Sequence, residues 1–119
     1  MNWIKQRLST LIGQQAEQLA CRYLQEHGLK LRQSNYHCRR GEIDLIMTDA
    51  EQLVFVEVKY RSQSSHGGAA EYFHSHKRRK FESAVAHYLH EHKLNPSITA
   101  YRIDLLAIQG SEIEWFKGV

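Results

Sequence analysis

Asp44, Glu57 and Lys59 are ionisable residues inside segments that otherwise have the composition of buried β-strands. Asp44 lies in EIDLIM, and the other two lie in LVFVEVKY. A buried carboxylate is costly, and even a well-made buried ion pair is often no more stable than an apolar replacement. Stability is therefore a poor reason for these residues. Two interpretations remain: an ion pair of Lys59 with either carboxylate at a fraying sheet end, or a reaction site.

The chemistry that this set could perform is phosphodiester hydrolysis. Asp44 and Glu57 offer the oxygen ligands that Mg²⁺ or Mn²⁺ takes, and Mg²⁺ usually completes its shell with water and substrate oxygens. Such a cation polarises a phosphoryl oxygen, while Lys59 orients a water or offsets the charge growing at phosphorus. We therefore predict a divalent metal site at Asp44 and Glu57, with Lys59 as a catalytic residue.

A hairpin must bring these residues together. EIDLIM and LVFVEVKY are joined by the short TDAEQ, which favours an antiparallel pair of central strands. Period-two alternation places Glu57 and Lys59 on one face of the third strand, about 6.5 to 7 Å apart, together with Leu53 and Phe55. In the second strand the same period predicts one shared face for three residues: Glu42, Asp44 and Ile46.

The remaining segments predict two helices and three more strands. Apolar residues at three- and four-residue steps predict a helix over 13–27, ended by Gly28, and another over about 75–92. LKLRQSNY alternates as a half-buried strand would, and ITAYRIDLLAI and EIEWFK read as two strands around Gly110. The segment 62–75 predicts a mobile loop. The order αβββαββ predicts an α/β fold with a mixed sheet flanked by helices.

Size and composition indicate a single domain. The 119 residues, 42% of them hydrophobic, suffice for one core. We assign this domain to residues 13–119, and residues 1–12 to an extension that is either flexible or the start of the first helix.

No apolar run approaches the roughly 18 residues needed to span a bilayer. Cys21 and Cys38 lack metal or redox spacing, so we expect a cytoplasmic protein with reduced thiols and no membrane partner.

The cations are clustered, although the net charge of +3 alone would not imply an anionic partner. Half of the sixteen lysines and arginines flank the hairpin or follow it: Arg39, Arg40, Lys59, Arg61, Lys77, Arg78, Arg79 and Lys80. Such clustering suits a phosphate backbone, and a solvated surface is the alternative. Lys77 stands four residues before Phe81, hence on the core-facing side of the second helix, where a helix N-terminus also favours phosphate.

The hairpin also carries a family resemblance. Asp44 followed by the EVK of Glu57, Val58 and Lys59 resembles the PD-(D/E)xK nuclease motif, although Ile43 replaces the proline. Over residues 13–108 the chain resembles the YraN-like family of small bacterial proteins, described as related to archaeal Holliday junction resolvases. Four segments carry that resemblance: GQQAEQLACRYL, NYHCRRGEIDLIM, VFVEVKYR and YRIDLLAI.

The resemblance implies a restriction-endonuclease-like core, an Mg²⁺- or Mn²⁺-dependent endonuclease acting on DNA rather than RNA, and products with a 5′-phosphate and a 3′-hydroxyl. It makes branched or structured DNA the expected substrate and, by analogy with resolvases, a homodimer plausible. Glu17 corresponds to the acidic residue of the first helix. From its position beside Ala16, Glu17 lies at the border of the apolar stripe and faces either the cleft or solvent.

Several assignments stay open at the level of sequence. The predicted nucleic-acid contacts are Lys77, Arg39, Arg40, Arg61, Arg78 and Lys80. Glu42 is either an accessory carboxylate or a surface residue, and Asp104 is either an ion-pair partner of Arg102 or a site residue. A non-catalytic nucleic-acid-binding module is the rival function. Paired carboxylates weigh against it, because they repel phosphate unless a cation neutralises them.

Overall fold

A computed structural model describes the backbone of residues 2–61 and 75–119, and side chains within 12–61 and 76–119. The predicted loop at 62–75 lies outside the described residues except for its last position. Seven elements follow one another: α1 (Asn2–Glu26), β1 (Lys30–Cys38), β2 (Gly41–Asp49), β3 (Gln52–Arg61), α2 (Ser75–Glu91), β4 (Tyr101–Gln109) and β5 (Glu112–Phe116). The first helix begins at Asn2 rather than at the predicted Gly13.

The five strands form one sheet in the order β1-β2-β3-β4-β5. The β2–β3 pair is antiparallel, with Leu45 opposite Val56, as the hairpin prediction required. The β3–β4 pair is parallel, and α2 lies in the connection between these two strands. The α/β class with a mixed sheet and two helices is therefore confirmed, and β2 and β3 are interior strands.

Each face of the sheet is covered by one helix. Residues of α2 pack with those of the first face: Tyr36, Ile43, Ile46, Leu53, Phe55, Phe81, Ala84, Val85, Tyr88, Leu89, Ile103 and Leu105. Residues of α1 pack with those of the second face: Ala16, Ala20, Leu24, Leu29, Leu45, Met47, Val54, Val56, Leu106 and Ile108. Two apolar layers thus fix the two helices on opposite sides of β2 and β3.

A left-handed residue follows the last turn of each helix. Gly28 has φ +95°, and Leu29 N donates to Leu24 O at 3.0 Å, which confirms the predicted end of α1. Lys93, with φ +57°, has the same place after α2, and Leu94 N donates to Leu89 O at 2.8 Å. The second helix therefore ends before the Asn95-Pro96 step that was predicted to stop it.

The first strand differs from its prediction. Of its nine residues only Tyr36 is buried, so β1 is not the half-buried strand that LKLRQSNY indicated. It lies at the sheet edge with β2 as its one neighbour. The two helices pack mainly against the inner strands, so most of β1 is exposed to solvent. Within the described residues, neither helix has the length and apolar content needed to cross a lipid bilayer.

Candidate active site

The site is built where β2 and β3 separate. Their ladder ends at the Leu45–Val56 pair, and beyond it the Asp44 carboxylate replaces a strand partner. Val58 N donates to Asp44 Oδ2 at 2.8 Å. The side chain of Asp44 therefore lies in the fork between the strands, held by the backbone of β3.

This fork breaks the alternation predicted for β2. Ile43 and Ile46 pack in the same core layer, under α2, whereas Leu45 packs in the layer under α1. Strict period two would put Ile43 and Leu45 on one face. The predicted shared face of Glu42, Asp44 and Ile46 is wrong, because the end of the ladder at Leu45 allows β2 to twist. In β3 the prediction holds, with Leu53 and Phe55 in the α2 layer.

Asp44 joins carboxylates from both helical layers. Glu17 of α1 and Glu57 of β3 lie close enough to Asp44 to interact with its carboxylate. Of the two orientations left open for Glu17, the one facing the cluster is therefore observed. Three carboxylates thus form a row across the fork, with Asp44 in the middle.

Asn35 supports the α1 end of this row, and sequence reasoning missed it. With its amide nitrogen turned towards Glu17, Asn35 donates to Oε2 at 2.9 Å and to Oε1 at 3.2 Å. Asn35 has φ +53°, a left-handed conformation that asparagine tolerates better than most residues. The sequence offered one sign of this role: an asparagine, which is unusual within a strand, interrupts the alternating segment LKLRQSNY.

Burial and mutual repulsion disfavour ionisation of the two inner carboxylates. Burial is the main cause that raises the pKa of Asp44 to about 7; the Glu17 charge adds to it, and the Val58 N–H opposes it. Burial, and then the charge of Asp44, raise the pKa of Glu57 to about 7, against the opposing Lys77. Near neutral pH the pair thus favours a proton or an added cation.

A lysine of α2 already faces Glu57. Lys77 Nζ lies 3.0 Å from Glu57 Oε1. The Glu57 side chain is 12% exposed and the Lys77 side chain is 39% exposed. Lys59 lies near the same charges, and its pKa is lowered by burial first and by Lys77 second. Two ammonium groups therefore flank the carboxylates, and the sequence reasoning that placed Lys77 on phosphate did not identify Glu57 as its partner.

The donor set fits a hard cation of low protein coordination. Within the described ranges, no three or more histidine, cysteine, aspartate or glutamate side chains are arranged around a common metal position. Mg²⁺, however, is commonly held by one or two carboxylates and keeps several waters. Asp44 and Glu57 meet that requirement because their carboxylates interact and burial raises the pKa of both.

Glu57 opens into a basic cleft of about 580 Å³ between the start of β2 and α2. Four predicted nucleic-acid contacts line this cleft: Arg39, Arg40, Lys77 and Lys80. Gly41 sets the spacing of the two walls, since a Cβ there would lie 2.7 Å from the backbone oxygen of Lys80. Only glycine allows β2 to approach α2 this closely.

Two other predicted contacts are placed elsewhere. Arg61 is the last residue of β3 and is buried, with 5% of its surface exposed, so its guanidinium is not presented to a backbone as predicted. Arg78 does not line the cleft, and its Nε lies 3.4 Å from Glu82 Oε1 on the next turn of α2.

Glu42 and Asp104 have partners of their own. Glu42 Oε2 lies 3.1 Å from His37 Nδ1, and both side chains are largely exposed, as the surface interpretation required. Asp104 is fully buried on β4 and accepts from Arg102 Nε at 3.0 Å. Trp115 Nε1 and Gly118 N each donate to it at 2.9 Å. Of the two interpretations of Asp104, the ion-pair partner of Arg102 is the one observed.

Comparison with known proteins gives a family. Residues 16–108 match the model described as Uncharacterised protein family UPF0102. A UPF0102 protein of Aeromonas hydrophila subsp. hydrophila is 50% identical over 105 residues, which cover 88% of this chain and 81% of the relative. A UPF0102 protein of Nitrosococcus oceani is 56% identical over 77 residues, covering 65% and 62%. The UPF0102 protein HEAR0176 of Herminiimonas arsenicoxydans is 42% identical over 107 residues, covering 90% and 84%. The chain therefore belongs to the UPF0102 family, the YraN-like family that its sequence motifs indicate.

Proposed function

We propose that the protein is a metal-dependent endonuclease that hydrolyses phosphodiester bonds in DNA, with branched or structured DNA as its substrate. One observation supports this most: two partly buried carboxylates, Asp44 and Glu57, interact with each other, and Glu57 lies in the wall of a basic cleft. We infer a restriction-endonuclease-like core, because a central hairpin carries the acidic pair and a lysine.

Asp44 and Glu57 would hold Mg²⁺ or Mn²⁺, which when bound polarises a phosphoryl oxygen and provides charge stabilisation at the phosphorus. Val58 N–H fixes the orientation of Asp44, and Asn35 fixes that of Glu17. Rigid placement of the carboxylates by these two donors lowers the cost of reorganisation during the reaction.

Lys59 is the catalytic lysine in this proposal. It shares a strand face with Glu57, and burial lowers its pKa. Its ammonium would orient the attacking water or offset the negative charge that develops on the phosphoryl oxygens. Cleavage would leave a 5′-phosphate and a 3′-hydroxyl.

The cleft cations bind the substrate. Arg39, Arg40 and Lys80 line the cleft together with Glu57, so they are suited to backbone phosphates on either side of the scissile bond. Their contacts are with phosphate rather than with bases, which suits a nuclease that recognises DNA shape. A homodimer would present two such clefts to a branched substrate.

A specific observation favours the rival function as well. Because Lys77 already lies on Glu57, the cluster carries a protein cation that could make it a structural part of a non-catalytic nucleic-acid-binding module. Such a module would bind DNA through the same cleft but would not cut it.

Cleavage assays distinguish the two functions. Wild-type, Asp44→Asn and Lys59→Ala proteins are incubated with single-stranded, duplex and four-way-junction DNA, in Mg²⁺ or Mn²⁺ and in EDTA. Asp49→Asn serves as the matched control, because Asp49 lies on the same strand but contacts Arg102 rather than the cluster. We expect metal-dependent cutting that both site variants lose and the control retains. Binding without cutting in either metal would support the module.

A further inference from the structure

We propose that Lys77 is an internal counter-ion of the site, which holds Glu57 until a phosphate in the cleft draws it away, so that DNA and divalent cation bind cooperatively. This inference rests on the proposed function. Lys77 would pair with Glu57 in the free protein and with phosphate in the DNA complex, and this exchange would couple the binding of the two ligands.

The Lys77–Glu57 contact competes directly with a metal ion. Lys77 Nζ lies 3.0 Å from Glu57 Oε1, one of the oxygens that a metal would need. An ammonium at that distance both occupies the carboxylate and repels a divalent cation on the adjoining Asp44. In the absence of DNA, metal binding must therefore displace this ammonium.

Lys77 is the partner that can move. The Glu57 side chain is 12% exposed and is fixed by β3 and its contact with Asp44, whereas the Lys77 side chain is 39% exposed at the start of α2. Lysine carries its charge on a flexible four-carbon stem. A rotation of that stem would take the ammonium from the carboxylate into the cleft without any change in the helix.

The cleft supplies the alternative anion site. Lys77 lines it together with Arg39, Arg40 and Lys80, so a backbone phosphate bound by these cations would lie within reach of the released ammonium. Release of Glu57 would then improve the affinity for the metal ion. By thermodynamic reciprocity the metal ion must improve the affinity for DNA by the same factor.

Removing the ammonium should therefore uncouple Mn²⁺ binding from DNA binding. In Lys77→Met, which keeps an unbranched stem of similar length, we expect Mn²⁺ to bind about tenfold more tightly without DNA than it binds the wild type. The variant should also show little further gain when DNA is added. Lys30→Met is the charge-matched control, since Lys30 lies exposed at the start of β1 and does not line the cleft.

The test is a calorimetric titration of Mn²⁺ into the full chain, with and without a nuclease-resistant phosphorothioate duplex, for the wild type, both variants and Asp44→Asn. In the wild type and Lys30→Met we expect the duplex to tighten Mn²⁺ binding by about tenfold. Lys77→Gln replaces the methionine variant if that one does not fold.

Two outcomes overturn the inference in distinguishable ways. If Mn²⁺ binds at a site that Asp44→Asn abolishes, but with equal affinity in the wild type and in Lys77→Met, the counter-ion role is wrong while the metal site stands. If no Mn²⁺ site depends on Asp44 in any protein, with or without duplex, the proposed function fails and the inference fails with it.

Discussion

Asp104 and Asp44 are both withdrawn from solvent in the same sheet, yet their surroundings are opposite. Asp104 is fully buried and accepts hydrogen bonds from Arg102, Trp115 and Gly118. Asp44 accepts from Val58 N–H, and its other polar neighbours in the cluster are the carboxylates of Glu17 and Glu57. Asp104 is thus paired directly with a guanidinium, whereas Asp44 lies among carboxylates, and Lys77 forms its ion pair with Glu57 rather than with Asp44.

The difference separates a structural carboxylate from a candidate functional one. A buried charge that is paired and hydrogen-bonded is tolerated, whereas one placed against like charges raises its pKa or takes a cation. Asp104 follows the first rule, and it ties β4 to the chain end through Gly118 N. Asp44 and Glu57 follow the second, with pKa values raised to about 7.

The largest effect is expected at the structural site. Asp104→Ala would leave the half-buried Arg102 guanidinium without its main counter-charge and should lower the free energy of unfolding by about 3 to 5 kcal/mol. Urea denaturation measures this loss. Asp49→Asn removes a more exposed partner of the same arginine and should cost about 1 kcal/mol or less. Equal stability of Asp104→Ala and the wild type would contradict the structural role.

A smaller loss of stability is expected where Gly41 of β2 packs against the backbone of α2. Gly41→Ala would place a Cβ 2.7 Å from Lys80 O and should cost about 1 to 3 kcal/mol, because the helix must shift. Since α2 carries Lys77 and Lys80, duplex binding measured by fluorescence anisotropy should weaken too. Gly13→Ala, where a Cβ meets nothing within 4 Å, should be neutral or stabilising. Unchanged stability and DNA affinity in Gly41→Ala would show that the close approach is dispensable.

The smallest expected effect has the opposite sign and depends on pH. The pKa of Asp44 rises from 3.8 in the unfolded chain to about 7, so the folded state binds the extra proton between those values. Its contribution to stability is therefore present below pH 4 and is lost as pH rises through 7. Asp44→Asn keeps an acceptor for Val58 N–H and removes the charge.

At pH 8 without metal we expect Asp44→Asn to be about 1 to 2 kcal/mol more stable than the wild type, and the gain should shrink towards pH 5. Denaturation curves at both pH values measure it. A variant that is less stable than the wild type at pH 8 would mean that the carboxylate is paired as well as Asp104 is.

Sequence reasoning predicted the elements more completely than the contacts between them. Apolar periodicity in β3 and α2 is local, so it placed Glu57 on the same face as Leu53 and Phe55 and placed Lys77 at the start of α2. The fork at Asp44 was not predictable from β2, because it depends on where the partner strand leaves the ladder. The packing of Gly41 on Lys80 O depends on a helix some forty residues later in the chain.

The errors at single side chains have the same origin. Arg61 belongs to the cluster of cations that predicted phosphate contacts, yet it is buried at the end of β3. Asn35 gave a weak signal within an exposed strand, yet it holds Glu17. In both cases the role is decided by neighbours distant in sequence, which one chain does not reveal.

The most direct measurement is a calorimetric titration of Mn²⁺ at pH 7 in two buffers of different ionisation enthalpy, for the wild type, Asp44→Asn and Asp49→Asn. We predict one site in the wild type and in Asp49→Asn, with proton release on binding because the pKa values of Asp44 and Glu57 lie near 7. The site should be lost in Asp44→Asn. Binding that survives in Asp44→Asn, or no binding to the wild type, would contradict a metal site in the fork between β2 and β3.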